Sequence, residues 1–540
     1  MSIQKSSLAL MLVLCLTLPA FATEMARGIV YHDKNGNLSK DKGEEGLKDI
    51  CVSNGVDVVK TNKNGEYELS ITNDTILFVI KPRDWYVPLQ AKTRLPQFYY
   101  NHKPEGSPKL KYRGVAPTGP LPESVNFPLK PRQENDQFRF ISFGDPQPRN
   151  QTEMDYIAHD IVEELVDTDA AFGVSLGDLV FNDLNVFDSY TKTLGLIGVP
   201  WYNVVGNHDI NFDAPVSNQS DETFERYFGP GYYSYDYGKA HFLVLNNVMW
   251  DVDKREYHGE FGEDQIQFIQ NDLKHVPKDK LIVVMMHIPL QDVVDRHKML
   301  GLLEPFKHTF SMSAHWHRQD HYFMGAEDGW MGKNPHHHLV HFTVCGSWWG
   351  GAPDERGIPH ATMSDGGPNG YAFVSVDGND YSMQYKAARR EADYQMNVYA
   401  PEQVAPKDAW GTEIKVNAFF GSKDMLVEMK LGKDGHWVTM TRFTGSDPAI
   451  VARSKRQDDF IAMVAKERGI DNPDDNTKKK IWQQYSKVLG PGEIGPRDTD
   501  HLWKAPLPAN PEPGHYVIYV RATDRWEQVH HGKRTIRIEE

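Results

Sequence analysis

The sequence predicts a multidomain protein in which a central α/β layered sandwich is flanked by an N-terminal and a C-terminal all-β sandwich domain. Three observations predict it. The chain has 540 residues, more than one hydrophobic core accommodates, so two to four domains are expected. Both ends are rich in short apolar strands separated by Asn-Gly and Asp- or Lys-rich turns. Between them, apolar runs alternate with segments that repeat apolar residues at three- and four-residue spacing, the pattern of a strand-and-helix layered domain. The expected divisions are residues 1–22, 23–132, 137–360 and 361–540.

Residues 1–22 read as a signal peptide. Lys5 precedes the apolar run "LALMLVLCLTLPAFA", which ends in the small-x-small signal Ala20-Phe21-Ala22. The run is short of the roughly 20 residues that a membrane span needs, and Leu14 before Cys15 is a poor lipoprotein context. Cleavage would leave Cys51 and Cys345 as the only cysteines, so no disulfide framework is expected. A periplasmic or extracellular location follows, with no stable membrane span after signal cleavage. The net charge of −15 disfavours binding to duplex nucleic acid, which needs clustered Lys and Arg.

Residues 23–132 carry strands such as "GEYELSI" between polar turns. Asp33, Asn35 and Asn37, followed by Asp41 and Glu44, place oxygen side chains at alternating positions. That spacing suits a calcium loop or an ordinary polar hairpin turn, and EF-hand spacing is absent. "PLKPRQENDQ" reads as a linker. In the central region, "TEMDYIAHDIVEELVD" and "GEDQIQFIQNDLKHV" are the clearest helical patterns. After residue 361 strands return, from "YAFVSVDGNDYSMQYKAA" to "GKRTIRIEE", interrupted by the helix-like "PDDNTKKKIWQQYSKVLG".

Candidate chemistry lies at the ends of the central strands. "FRFISF" runs into Gly144-Asp145-Pro146-Gln147, "AFGVSL" into Gly177-Asp178, and "WYNVV" into Gly206-Asn207-His208-Asp209. "LIVVMM" runs into His287, and "HTFSMSA" into His315-Trp316-His317. One Gly-Asp ending is an ordinary turn, and one His is as well explained by a satisfied core position. His315 and His317, read as strand residues, would share one face. Five endings with metal-competent side chains, in this order, are hard to reach by chance. "HHHLVH" at 336–341 matches none of these positions and reads as a loop leading into a strand; Trp348 and Trp349 suit packing or stacking on a substrate ring.

The series GD, GD, GNHD, H, HxH resembles the calcineurin-like metallophosphoesterase superfamily over about 175 residues. The two β-rich flanks and the stretch "CGSWWGGAPDERGIPHATMSDGGPNGY" resemble its secreted three-domain bacterial members. The resemblance implies an αββα central fold and two divalent ions, of Mn, Fe, Zn or Co, which activate water for hydrolysis of phosphomono- or diesters. It implies that Asp178 bridges the ions, that Asp145 and His317 complete the first, and that Asn207, His287 and His315 complete the second. His208 would act on the phosphate or the leaving oxygen, with Asp209 as its orienting group or a helix cap. Gln147 stands where the superfamily more often has His; its neutral carbonyl would bind the first ion loosely or through water. The implied substrate is a small-molecule or polymer-linked phosphate ester. The rival reading is a non-catalytic surface or cell-wall glycan-binding protein with a degenerate phosphoesterase domain.

Overall fold

The computed structural model describes residues 24–489 and 495–540; the expected signal peptide lies outside them. Two four-stranded sheets make the N-terminal sandwich, beginning with Glu24–His32, which pairs with both Glu66–Ile71 and Phe127–Pro131. The alternating burial of Glu66–Ile71 is the period of two that one buried face requires.

The central domain is built on two sheets. The first places Trp201–Asn203, Gly173–Ser175 and Gln137–Phe143 side by side in parallel. The second has Ala240–Val244, Leu281–Met285, His308–Ser313 and His336–Val340 as its parallel core. These strands are buried on both faces, as continuous Val, Ile and Phe runs should be. Aromatic rings join the sheets: Tyr202 stacks on Tyr235 at 4.0 Å, and Phe140 meets Phe242 edge-on at 5.6 Å. Helices cover the outside. Gln151–Ile157 continues through a π turn at Ala158–Val162, and Glu263–Leu273 falls on the second periodic segment.

Two expectations change here. Gly370–Asp377 and Asp380–Ala387 do not open the C-terminal sandwich. They form a hairpin that pairs antiparallel with Gln137–Phe143 and completes the first central sheet. The hairpin lies beyond the division expected at residue 361 yet pairs with a strand before it, since a strand's partner is not written in its own sequence. Likewise "HHHLVH" is no loop: His336–Val340 is a buried strand, in which Ser311 Oγ lies 2.7 Å from both His336 Nε2 and His338 Nδ1. Burial pushes these imidazoles down, and they stay neutral.

Beyond residue 390, a four- and a five-stranded sheet form the C-terminal sandwich. Its insertion contains two helices. Asp475–Leu489 is the one the sequence suggests; Pro448–Glu467 is additional, capped by Asp447, whose carboxylate accepts from the N–H groups of Ala449 and Ile450. A buried polar network ties this domain to the central one. His501 Nε2 lies 3.1 Å from Asp365 Oδ2, and its Nδ1 2.7 Å from Asn417 Oδ1. Asp365 Oδ2 also accepts from the N–H of Gln319, two residues past His317.

The N-terminal domain is fastened by a buried ion cluster. The Lys103 ammonium lies 2.8 Å from Asp74, 2.7 Å from Glu222 and 2.7 Å from Glu225. Burial pushes the ammonium down, but the three carboxylates more than offset this and raise it. Acids outnumber the cation, and burial pushes neighbouring Asp221 up to about 6 despite the pull of Lys103. A carboxyl raised on folding stabilises below its unfolded value and loses that contribution as pH rises through its folded one. Stability is therefore expected to fall by about 1–3 kcal/mol from this group between pH 4 and 6. Urea midpoints compared with Asp221→Asn check it; an unchanged pH slope in the variant would refute it.

Candidate metal centre

The parallel strands of both sheets deliver their C-terminal ends to one edge of the sandwich, where open α/β layers place their sites. Each strand stops two to four residues short of its first functional side chain, and at most of these side chains the chain turns left-handed. Asp145, Gln147, Asp178, His315 and His317 have φ of 34°, 42°, 49°, 72° and 52°. For non-glycine residues this backbone is costly and persists only where surroundings impose it. Gly177, at φ 89°, has no alternative, because a Cβ there would lie 2.5 Å from His287 Nδ1. His315 and His317 thus sit in a turn beyond the strand His308–Ser313, not on one face of it.

The side chains converge. His287 Nδ1 faces the Leu176 carbonyl at 2.8 Å, which fixes the ring. Its Nε2 lies 2.9 Å from Asn207 Oδ1, 3.2 Å from Asp178 Oδ1 and 3.2 Å from His315 Nδ1. Ligand atoms of Asp178, His287 and His315 all fall within 4.8 Å of one another. Beside them, Asp145 Oδ2 accepts from the His315 N–H at 2.9 Å and lies 3.8 Å from His317 Nε2. His317 Nδ1 is turned away, 2.6 Å from the Gly346 carbonyl. Asp145 Oδ1 is fully buried without a hydrogen-bond partner. An orphaned carboxylate oxygen beside three imidazoles, two of them aimed by a carbonyl on the far side, fits a divalent cation well.

The protonation pattern reports the same crowding. Burial pushes Asp145 up to about 8, with the Asp178 charge adding to it and His287 opposing. Asp178, equally buried, is held below the usual carboxylate range by His287 and His208. His287 rises to about 9 against its burial because two carboxylates face it. Burial lowers His315 to about 3 and His317 to about 4, which leaves both neutral. Two buried carboxylates that share too little positive charge make a site that a cation would relieve.

Five sequence-predicted residues have hydrogen-bond partners of their own. Gln147 turns its amide nitrogen to Asp178 Oδ2 at 2.7 Å, while its carbonyl faces the buried Cys345 thiol at 3.9 Å. In this arrangement it orients the carboxylate of Asp178. Asp209 does not reach His208: its carboxylate accepts from the N–H groups of Gly206, Leu179 and Val180 at 2.9–3.2 Å, clamping two loops together. Asp33, Asn35 and Asn37 lie together in one turn. Asp33 Oδ1 accepts from the Gly36 N–H, and Asn35 and Asn37 both donate to Asp41, as in a polar turn.

The partner of His208 is Asn182, whose Oδ1 lies 2.7 Å from His208 Nδ1. Phe181 stacks on the same ring at 4.4 Å. Burial lowers His208, with Asp178 opposing. Trp348 leans on His317 at 4.7 Å, whereas Trp349 is a core residue that donates to Asp160. Tyr257, exposed on the hairpin Val248–Gly259, points its ring at His315. Sequence reading missed Tyr257 because an isolated Tyr between polar residues carries no local signal.

Comparison with known proteins finds domain families along most of the chain. Residues 33–113 match the N-terminal domain family of calcineurin-like phosphoesterase, residues 138–319 the calcineurin-like phosphoesterase family, and residues 338–530 the corresponding C-terminal family. Among solved structures, the chain is similar to the purple acid phosphatase PPD1 isolated from yellow lupin (Lupinus luteus) seeds. The two are 14% identical over 68% of this chain and 67% of that one, with a TM-score of 0.36. No curated protein matches. With all three domain families in order along the chain, and a cation-ready cluster at the strand ends of the middle one, the protein belongs to the calcineurin-like phosphoesterases and is a metal-dependent hydrolase of phosphate esters.

Proposed function

We propose that the protein is an exported phosphoesterase that hydrolyses phosphomono- or diesters at a two-cation centre. In this reading Asp145, Asp178 and His317 hold one ion, and Asp178, Asn207, His287 and His315 the other. The observation that carries it is the meeting of Asp178, His287 and His315 ligand atoms within 4.8 Å, next to the orphaned Asp145 oxygen. A mixed imidazole and carboxylate set suits Mn, Fe, Zn or Co. Two such ions supply Lewis acidity and a nucleophile at neutral pH.

The chain's own groups do the rest. Gln147 and the His208 N–H hold both Asp178 oxygens, so the shared carboxylate cannot rotate. His208 Nε2 lies 4.0 Å from Asp178 Oδ2, at the open side of the cluster, where it is placed to give a proton to a departing oxygen. Phe181 and Asn182 fix its plane and its tilt. The leader-like N-terminus supports export.

The test is hydrolysis of p-nitrophenyl phosphate, bis-p-nitrophenyl phosphate and a nucleotide diphosphate-sugar by the mature chain, with added Mn and after chelation. Metal-dependent turnover is expected, with His208→Ala slower by roughly 10²-fold or more. Metal bound at two per chain without turnover on any ester would favour the glycan-binding reading instead.

A further inference from the structure

A segment of the N-terminal domain reaches the catalytic machinery. Residues 103–118 leave that domain as a strap along the central one, and the strap is anchored at its base. Lys103 sits in its cluster of carboxylates, the Ser107 hydroxyl donates to Glu222, and the Val115 N–H donates to Ser107 Oγ at 2.7 Å. At the tip, the Lys111 N–H donates to Asp213 Oδ2 at 2.6 Å. Next to it, the Tyr112 hydroxyl donates to the backbone carbonyl of Asn182 at 2.9 Å. Asn182 has a left-handed backbone, φ 57°, and its side chain holds His208 Nδ1.

These contacts form one line from the N-terminal domain to the imidazole. Left-handed Asn is tolerated, not preferred, so the Phe181–Asn182 turn has lower-energy alternatives. A hydrogen bond to the carbonyl of residue 182 selects one peptide orientation and with it the direction of the Asn182 side chain. The strap does not need that hydroxyl in order to dock, since its base and the Lys111 amide are bonded independently. We propose that Tyr112 is a positioning residue for hydrolysis: through Asn182 it holds His208 in line with the leaving oxygen, which makes the N-terminal domain part of the active site. The proposal rests on the phosphoesterase reading and on the role of His208 in it.

The experiment uses the full chain with Tyr112→Phe, which removes one oxygen and keeps the ring. A misplaced proton donor matters most when the leaving group is poor. The variant is expected to lose roughly tenfold in kcat on the phenyl ester and much less on the p-nitrophenyl ester. KM and bound metal are expected to stay as in the wild type. Asn182→Ala should reproduce the pattern, and the double variant should be no worse than Asn182→Ala alone. Independently of activity, amide hydrogen exchange should rise across residues 181–185 in Tyr112→Phe. Equal losses on both esters, additive effects, or unchanged exchange would each overturn the proposal. A Tyr112→Phe enzyme identical to the wild type overturns it alone. A wild-type chain without metal-dependent turnover on either ester overturns the phosphoesterase reading and this inference with it.

Discussion

Asp178→Asn is expected to lower kcat/KM by on the order of 10³-fold, with loss of bound metal, because one carboxylate stands at the crossing of every contact in the centre. Its Oδ1 accepts from the His208 N–H and lies 3.2 Å from His287 Nε2; its Oδ2 accepts from Gln147 at 2.7 Å. The substitution keeps the shape and removes the charge. A neutral amide offers one oxygen in place of two, and its NH₂ group would then face either a donor N–H or an imidazole. His287, which two carboxylates raise to about 9, loses its main partner. Turnover and elemental analysis on the same preparations check the result. Activity within tenfold of wild type with metal retained would show that Asp178 is not the shared ligand.

Lys103→Met should have the largest effect on stability, about 3–5 kcal/mol, without touching the centre. The substitution leaves buried Glu222 and Glu225 with Asp74 and no cation among them. Surface ion pairs of similar length would be worth far less, since water screens them; here the ammonium is 3% and Glu222 1% exposed. Chemical denaturation followed by probes in the N-terminal and central domains measures it. The deficit should shrink as pH is lowered, because carboxyls stranded without a partner gain stability from protonation. An equal deficit at pH 5 and pH 8 would locate the damage in packing and not in charge. A Glu222→Gln, Glu225→Gln background should recover much of the loss.

The fold class and the strand-end residues were legible because both follow from local rules. Apolar runs of five or six residues followed by Gly-Asp, Gly-Asn-His or His mark strands and the turns that carry side chains out of them. Placement beyond the next turn was not legible. Gln147 shares the Asp145 turn yet hydrogen-bonds to Asp178, and Asp209 serves backbone amides on another loop. Nothing in the local pattern distinguishes an amide that binds metal from one that orients a ligand. The same holds for the left-handed backbone at Asp145, Asp178, His315 and His317, which depends on tertiary contacts and not on residue type. Tyr112 and Asn182 lie seventy residues apart in sequence, so only the folded chain brings them together. The hairpin at 370–387 read as strands, correctly; its partner did not.

That hairpin bears on how the molecule is made. Phe138 pairs with Val376 and Ile141 with Phe373, so the first sheet of the catalytic domain keeps an open edge until nearly four hundred residues have been synthesised. An unpaired edge of Phe and Ile is a template for wrong partners, and pairings this distant in sequence form slowly. Folding of the catalytic unit must therefore wait for a segment that lies downstream of every residue of its metal centre. A chain that stops short of residue 370 would hold all the ligands and still lack the strand that closes the sheet beneath Asp145.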